Sequence, residues 1–171
     1  MGHLVGCGSK KHPRQTRYAG SRRYVDDRTL PADDFAKLNE RFKFTIDVAA
    51  APHNARLPKF CSVATSGLLV SWARERVYCN PPYSEIRPWI LKAWNEYEAE
   101  IIVMLLPANR TEQGWWQDWV EPFRDRPASR LSVEFLPGRI RFLKPYQDRI
   151  GPNERPRFGC CLCIWKRIFT C

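Results

Sequence analysis

The residues best suited to chemistry form the stretch Asn80-Pro81-Pro82-Tyr83, which follows the short apolar run 77–79. Proline has a fixed φ and no backbone N–H, so a strand through this run must end at the two prolines. Prolines also favour extended geometry in the residues before them. We therefore expect Asn80 to lie at a strand end with its side-chain amide projecting, and Tyr83 to add an aromatic face and a hydroxyl nearby.

Two neighbouring acceptors can hold both hydrogens of a planar amine such as the 6-amino group of adenine. The Asn80 side-chain oxygen and the Pro81 carbonyl would bias that nitrogen toward tetrahedral geometry, so that its lone pair could attack an electrophilic methyl group. Tyr83 could stack on the base, which contributes about 1–3 kcal/mol in other base-stacking sites. The alternative is a Pro-Pro turn that closes a strand, with Tyr83 packed beneath it.

The stretch resembles the catalytic loop of amino-methyltransferases that use S-adenosylmethionine (AdoMet). The wider pattern resembles the phage and prophage DNA adenine-methyltransferase (Dam) family. The similar stretches run in order over most of the chain: 44–50, Asn54-Ala55, Ser66-Gly67-Leu68, Trp72, 80–84, Trp89, Lys92-Ala93, 105–108, Thr111, Trp115-Trp116 and 138–142. The resemblance implies transfer of a methyl group from AdoMet to the 6-amino group of adenine in double-stranded DNA. A base that reacts at this position would be flipped out of the duplex. The implied catalytic residues are Asn80, Pro81, Pro82 and Tyr83.

The resemblance also implies a set of cofactor-binding residues. An acid inside an apolar strand is costly to bury unless it is paired, and the family places the acid that corresponds to Asp47 near AdoMet. Small side chains after it would let the cofactor approach the backbone, and Ser66 stands where the family usually has an acid near the cofactor's adenine. In the family, a Thr-Pro segment before the first strand also lies near the cofactor. In this chain Thr29-Leu30-Pro31 matches that segment loosely. The expected set is Asp47, Ala49, Ala50, Ser66, Asn80 and Thr29.

The charge of the chain favours a nucleic-acid partner. The formal net charge is +10 and the pI about 9.5, and a surplus of this size promotes association with a polyanion. Residues 1–25 contain six Lys or Arg and no acid, which predicts a basic, flexible arm that could rest on phosphates. The alternative for this segment is a frayed terminus without a role.

Candidate DNA contacts follow from the apolar run 101–106, which is typical of a central strand in a parallel sheet. Open α/β sheets bind ligands at the carboxyl ends of their strands, so the loop after this run is a candidate for substrate contacts, with Arg110 the best candidate for a phosphate. Positive residues after a predicted turn at Pro137-Gly138 form a basic edge nearby. The candidate residues are Asn109, Arg110, Thr111, Arg139, Arg141 and Lys144.

Composition and cysteine usage narrow the class of protein. At 171 residues the chain is the size of one domain, and no apolar run approaches the roughly 20 residues that span a bilayer. The first residues lack a signal peptide's apolar centre, so we expect a cytoplasmic protein of a bacterial or phage-infected cell. Seven cysteines without an export signal argue against a disulfide framework. Cys160 and Cys163 have the spacing of a metal-binding pair, but no second pair follows, and we expect no metal. The oligomeric state stays open.

The order of the predicted elements indicates an α/β fold. A helix begins near Pro31, and strands are expected at 44–50, 59–61 and 77–79. Helices at 88–97 and 113–120 flank the 101–106 strand, a hairpin of 131–135 and 139–142 follows, and 160–165 is the last strand. We therefore predict a Rossmann-like AdoMet-dependent methyltransferase domain over residues 26–171. It should have three α/β/α layers around a mixed, mostly parallel sheet, with strand 77–79 parallel to strand 101–106 and the hairpin at the antiparallel end.

Two other functions remain open at this point. The same loop chemistry serves methylation of amines in RNA and of glutamine side chains in proteins. A non-catalytic nucleic-acid-binding module is the third possibility, because Ser66 replaces an acid and the chain lacks a Gly-x-Gly loop.

Overall fold

The computed structural model describes residues 26–147, 149–150 and 158–168. The predicted basic arm, residues 1–25, lies outside the described residues, so the predicted division of the chain at residue 26 stays a prediction. The helices and strands, in chain order, are α1 (Ala32–Phe42), β1 (Ile46–Asp47), β2 (Arg76–Cys79), α2 (Arg87–Asn95), β3 (Ile101–Pro107), α3 (Gly114–Trp119), β4 (Leu131–Phe135) and β5 (Cys160–Lys166).

The five strands form one sheet in the order β1-β2-β3-β5-β4. β1, β2 and β3 are parallel neighbours, whereas β5 is antiparallel to both β3 and β4. β4 therefore points the same way as the first three strands, and within this sheet only β5 is reversed. The prediction of a mixed, mostly parallel sheet is confirmed, as is the parallel pairing of the strand before Asn80 with the 101–107 strand.

Helices cover both faces of the sheet. Alternate strand residues such as Tyr78 and Val103 pack on one side with Phe35 and Phe42 of α1. The residues between them, among them Ile102 in β3, pack on the other side with the tryptophans of α2 and α3. The near-continuous burial of β3 follows from this double covering. The predicted three-layer α/β/α architecture is therefore confirmed.

Two strand predictions were too long. The predicted strand 44–50 is reduced to Ile46–Asp47, because the chain turns away where the Asp47 carboxylate accepts a backbone N–H from Ala49. The backbone pairing with β2 nevertheless continues for one residue beyond each end of β1. The N–H groups of Thr45 and Val48 donate hydrogen bonds to carbonyls of β2. The predicted strand 59–61 is an isolated parallel bridge between Phe60 and Asp47.

The predicted hairpin of 131–135 with 139–142 is wrong. β4 pairs with β5 instead, and 139–142 is not a strand. The segment after Pro137-Gly138 crosses to the α1 side of the sheet, where Phe142 is buried and Leu143 forms an antiparallel bridge with Thr29. Pro137-Gly138 alone would favour a hairpin. Burial of these apolar side chains outweighs that local preference, as does the pairing of β5 with β3 over seven residues.

The described cysteines are buried free thiols: Cys61, Cys79, Cys160, Cys161 and Cys163. Cys160 and Cys163 lie on opposite faces of β5, so their sequence spacing does not place them together as a pair of ligands. Among the described helices, none has both the length and the apolar character needed to cross a membrane.

Candidate active site

Asn80 lies at the carboxyl edge of the sheet, immediately after β2. Its side-chain Nδ2 donates a hydrogen bond of 2.8 Å to the backbone carbonyl of Arg28. A carbonyl oxygen can only accept, so the amide nitrogen must face Arg28 and Oδ1 must face away. Oδ1 is buried and has no hydrogen-bond partner in the described part of the chain. A buried orphan acceptor is unusual in a folded protein and needs an explanation.

The rest of the candidate catalytic loop, residues 80–84, is held by contacts from two directions. The Asp26 carboxylate accepts hydrogen bonds from the Ser84 backbone N–H at 3.0 Å and from its hydroxyl at 2.5 Å. From the β3 side, Arg110 Nη1 donates to the Tyr83 carbonyl at 2.7 Å. Among the described residues no backbone N–H donates to the Pro81 carbonyl, and its expected role as the second acceptor stays a prediction.

Tyr83 is half-buried and packs against other aromatic rings. Its ring meets Phe142 edge-on, with 6.2 Å between centroids and an interplanar angle of 87°, and Phe158 at a tilt. Its hydroxyl is buried beside the Cys160 thiol, and this burial raises the pKa of Tyr83 well above its ordinary value. Tyr83 therefore contributes to the core, and its expected stacking on a base stays a prediction.

Asp47 is the buried acid of the site, with 2% of its surface exposed. Its carboxylate accepts backbone N–H groups of Ala49 at 3.4 Å and Arg56 at 3.2 Å. Burial raises the pKa of Asp47 to about 6, and the two hydrogen bonds oppose the rise only in part. Within the described residues no Lys or Arg forms an ion pair with it. Such a carboxylate is better matched by a cation than by solvent.

The segment 66–67 lies against the end of β1. A Cβ on Gly67 would come within 2.0 Å of the Val48 carbonyl oxygen, so only glycine permits this approach. Ser66, next to it, adopts a left-handed backbone with φ of 44°. Trp72 anchors the segment by donating from Nε1 to the Gly67 carbonyl at 2.9 Å. The structure thus brings Ser66 to the same strand end as Asp47 and the half-buried Ala49 and Ala50.

The remaining cofactor candidate, Thr29, borders the same edge. Its hydroxyl donates to the Asn54 carbonyl at 3.3 Å, and it follows Arg28, the partner of Asn80. These residues fit AdoMet on two observations. Asp47 is a desolvated carboxylate that forms no ion pair among the described residues, and the charge of Arg56 offsets its burial only in part; small half-buried side chains lie beside it. Asp47, Ala49, Ala50, Ser66 and Thr29 could hold the cofactor next to Asn80.

The candidate DNA contacts are not all equivalent. Arg110 is half-buried and turned toward the catalytic loop, whereas Asn109 is exposed and Thr111 is half-buried. Arg139 and Lys144 are exposed and Arg141 is half-buried on the segment that follows β4. Lys144 and Thr29 border an open cleft of about 630 Å³. Neither Asn80 nor Asp47 lines that cleft. Of the cofactor residues predicted from the sequence, Thr29 is the one that lines it.

Three contributors were missed from the sequence. Asp26 and Arg28 precede the first helix and belong to no recognisable pattern, so the sequence carried no signal for them. Gly67 could have been found, because a glycine between Ser66 and Leu68 marks a place of close backbone approach. Its role became visible only when Val48 was located opposite it.

Comparison with known proteins identifies the family of the chain. The chain matches the family described as DNA N-6-adenine-methyltransferase (Dam) over residues 21–168. It is 30% identical to the DNA N-6-adenine-methyltransferase of Haemophilus phage HP1 (strain HP1c1) over 74 residues. These residues cover 42% of this chain and 43% of that relative. The aligned part thus spans less than half of that relative. A candidate RNA methyltransferase from Pyrococcus horikoshii has a TM-score of 0.46 and 13% identity, over 81% of this chain and 83% of that one. Because the family match extends over most of its length, the chain belongs to the DNA N-6-adenine-methyltransferase (Dam) family.

Proposed function

We propose that this protein transfers a methyl group from AdoMet to the 6-amino group of adenine in DNA. The observation that carries the proposal is the Asn80 amide. Its nitrogen is fixed on the Arg28 carbonyl, while Oδ1 is buried without a hydrogen-bond partner among the residues that the structure describes. A hydrogen-bond acceptor in that state is matched by an amine hydrogen. Membership of the Dam family supports adenine in DNA as the source of that amine.

The catalytic loop would act by positioning and by hydrogen bonding. Asn80 Oδ1 and the Pro81 carbonyl accept the two amino hydrogens, which directs the nitrogen lone pair away from the base plane. Pro82 keeps the loop in shape, and Tyr83 lies beside the base. Such fixed acceptors stabilise charge that develops on the amine during transfer, at little cost in reorganisation.

AdoMet, when bound, would supply an electrophilic methyl group on a sulfonium centre, whose sulfur would leave as a neutral thioether, and the methylated amine would release one proton to solvent. Asp47 would meet the cofactor's positively charged amino-acid end, and Ala49 and Ala50 would allow close approach to the backbone. Ser66 and Thr29 can each offer a hydroxyl. Asn80 borders both ligands, which is why its orientation matters more than that of any other side chain in the site.

The substrate would be a flipped base, since the adenine amine is inaccessible inside a stacked duplex. Asn80 Oδ1 is itself buried, so the base can reach it only after a local opening around the loop. Phosphates would be held by positively charged and polar residues at the rim: Asn109, Arg110, Thr111, Arg139, Arg141 and Lys144. Binding should then weaken steeply as salt is raised. We place this activity in the cytoplasm of a bacterial or phage-infected cell.

The proposal is tested by offering labelled AdoMet with equal amounts of unmethylated DNA, RNA and a protein extract, each alone and in competition. We expect label to enter DNA as 6-methyladenine and unlabelled DNA to suppress transfer to the other two. Label confined to RNA or to protein would refute the choice of substrate. An absence of AdoMet binding by equilibrium dialysis would refute the enzymatic function altogether and favour a non-catalytic binding module.

A further inference from the structure

A short segment before the first helix, residues 26–29, crosses the catalytic loop; we call it the strap. Its Arg28 carbonyl accepts the hydrogen bond from Asn80 Nδ2 at 2.8 Å. Its Asp26 carboxylate accepts two hydrogen bonds from Ser84. The strap therefore contacts the first and the last residue of the loop 80–84, although it lies more than 50 residues away in sequence.

The Arg28 contact decides which way the Asn80 amide faces. The terminal torsion of asparagine is soft and roughly two-fold, so an isolated side chain could present either its nitrogen or its oxygen to a substrate. Rotation by half a turn would place Oδ1 against the Arg28 carbonyl oxygen, two acceptors facing each other. The wrong orientation would offer N–H donors to an amine that also needs to donate. The strap thus excludes the unproductive orientation.

The Asp26 contact holds the strap in place. The carboxylate receives both the backbone N–H and the hydroxyl of Ser84, a paired interaction with charge on the acceptor, which is stronger than a neutral hydrogen bond. On the other side of Arg28, Thr29 forms a backbone bridge with Leu143 and a side-chain bond to the Asn54 carbonyl. Arg28 is therefore fixed between two anchors.

We propose that the strap is a positioning element for Asn80, and that Asp26 and Ser84 act through it without touching substrate. This inference rests on the proposed function. Asp26 and Ser84 would keep the Arg28 carbonyl against the Asn80 amide, so that Oδ1 meets the adenine amine. The acceptor is the backbone carbonyl of Arg28. Any residue at position 28 would provide this carbonyl, so the sequence gives no sign of the contact.

The experiment compares kcat and AdoMet affinity of the full-length wild type with those of Asp26→Ala and Ser84→Ala. Asp26→Ala removes both hydrogen bonds of this tie and should lower kcat by about 10- to 100-fold, the range expected for a reacting group displaced by up to about 1 Å. Ser84→Ala removes only the hydroxyl bond and keeps the backbone N–H bond, so its loss of kcat should be smaller. The double variant should be no slower than the worse single one. AdoMet affinity should stay within about twofold of wild type, because neither side chain belongs to the cofactor set.

Conservative variants and a matched control separate positioning from folding. Ser84→Thr keeps the hydroxyl and Asp26→Asn keeps an acceptor for the Ser84 N–H, so both should recover most of kcat. Asp34→Ala removes an acid of α1 that pairs only with Lys37 among the described residues and should leave kcat unchanged. Loss of kcat that neither conservative variant restores would overturn the positioning role.

The outcomes also distinguish this inference from the proposed function. If the wild type methylates DNA and both alanine variants keep its kcat, the strap inference fails while the proposed function stands. If the wild type binds AdoMet but methylates no DNA, the proposed function fails, and the inference with it. Multiplicative losses in the double variant would show that Asp26 and Ser84 act separately, which also contradicts the inference.

Discussion

The buried carboxylate of Asp47 should make the protein less stable as pH rises through the mildly acidic range. The pKa of Asp47 is raised from 3.8 to about 6, and burial is the main cause. Between these values the folded protein keeps a proton that the unfolded chain has released. The free energy of unfolding therefore falls as pH rises, and the loss is complete above the folded pKa.

The size of the effect follows from the same two values. One pKa unit corresponds to about 1.4 kcal/mol, so the shift from 3.8 to about 6 costs about 3 kcal/mol of stability at neutral pH. Asp47→Asn cannot ionise. It does introduce a fixed cost, because its amide nitrogen faces one of the two backbone N–H groups that the carboxylate now accepts.

Urea unfolding of wild type and Asp47→Asn at a series of pH values isolates this group. Other titrating groups contribute to both proteins and cancel in the difference. We expect the stability of Asp47→Asn relative to wild type to increase by about 3 kcal/mol between about pH 3 and about pH 7, whatever the constant offset. A difference that stays flat with pH would refute the burial of an unpaired carboxylate, and a decrease would mean that Asp47 has a cationic partner.

Three further outcomes are expected. AdoMet should bind the wild type more tightly as pH rises through 6, where Asp47 gains its charge, whereas titration calorimetry of Asp47→Asn should show no such step. Gly67→Ala should lower stability by about 1–3 kcal/mol or more in thermal unfolding, because the new Cβ meets a carbonyl oxygen at 2.0 Å. Gly114→Ala, whose Cβ meets its nearest atom at 3.5 Å, should not; equal losses would contradict the packing argument. Arg110→Ala loses both the bond to the Tyr83 carbonyl and the charge proposed to meet a phosphate, so kcat should fall and the salt slope of DNA binding should decrease by about 1; a fall in kcat with an unchanged salt slope would show that Arg110 supports the loop and holds no phosphate.

Much of the fold could be predicted because local and long-range signals agree. Prolines end β2 at the predicted residue, the apolar run of β3 is buried throughout, and the helices begin within about two residues of their expected positions. The errors occur where tertiary contacts override local chemistry. The chain does bend at Pro137-Gly138, but Phe142 after it is buried in the cluster on the α1 side of the sheet instead of pairing with β4.

Individual residues of the candidate site could be predicted only where a motif or the family resemblance pointed to them. Asn80 and Asp47 lie at the ends of adjacent strands, as parallel pairing requires. The strap could not be foreseen, because Asp26 interacts through an exposed hydrogen bond and Arg28 through its backbone, neither of which leaves a pattern in the sequence. Tyr83 shows the opposite case: the motif pointed to the base, whereas its packing on Phe142 is visible only in three dimensions.

The most direct test of the account is the transfer of labelled methyl from AdoMet to unmethylated DNA by wild type, Asn80→Ala and Asn95→Ala, followed by nucleoside analysis. Asn95 is an exposed asparagine at the end of α2 and serves as the matched control. The account predicts label in 6-methyladenine with wild type and Asn95→Ala, and none with Asn80→Ala, which should still bind AdoMet measurably through the other residues of the cofactor set. Continued transfer by Asn80→Ala would contradict it, since the Asn80 oxygen would then not be the group that receives the adenine amine.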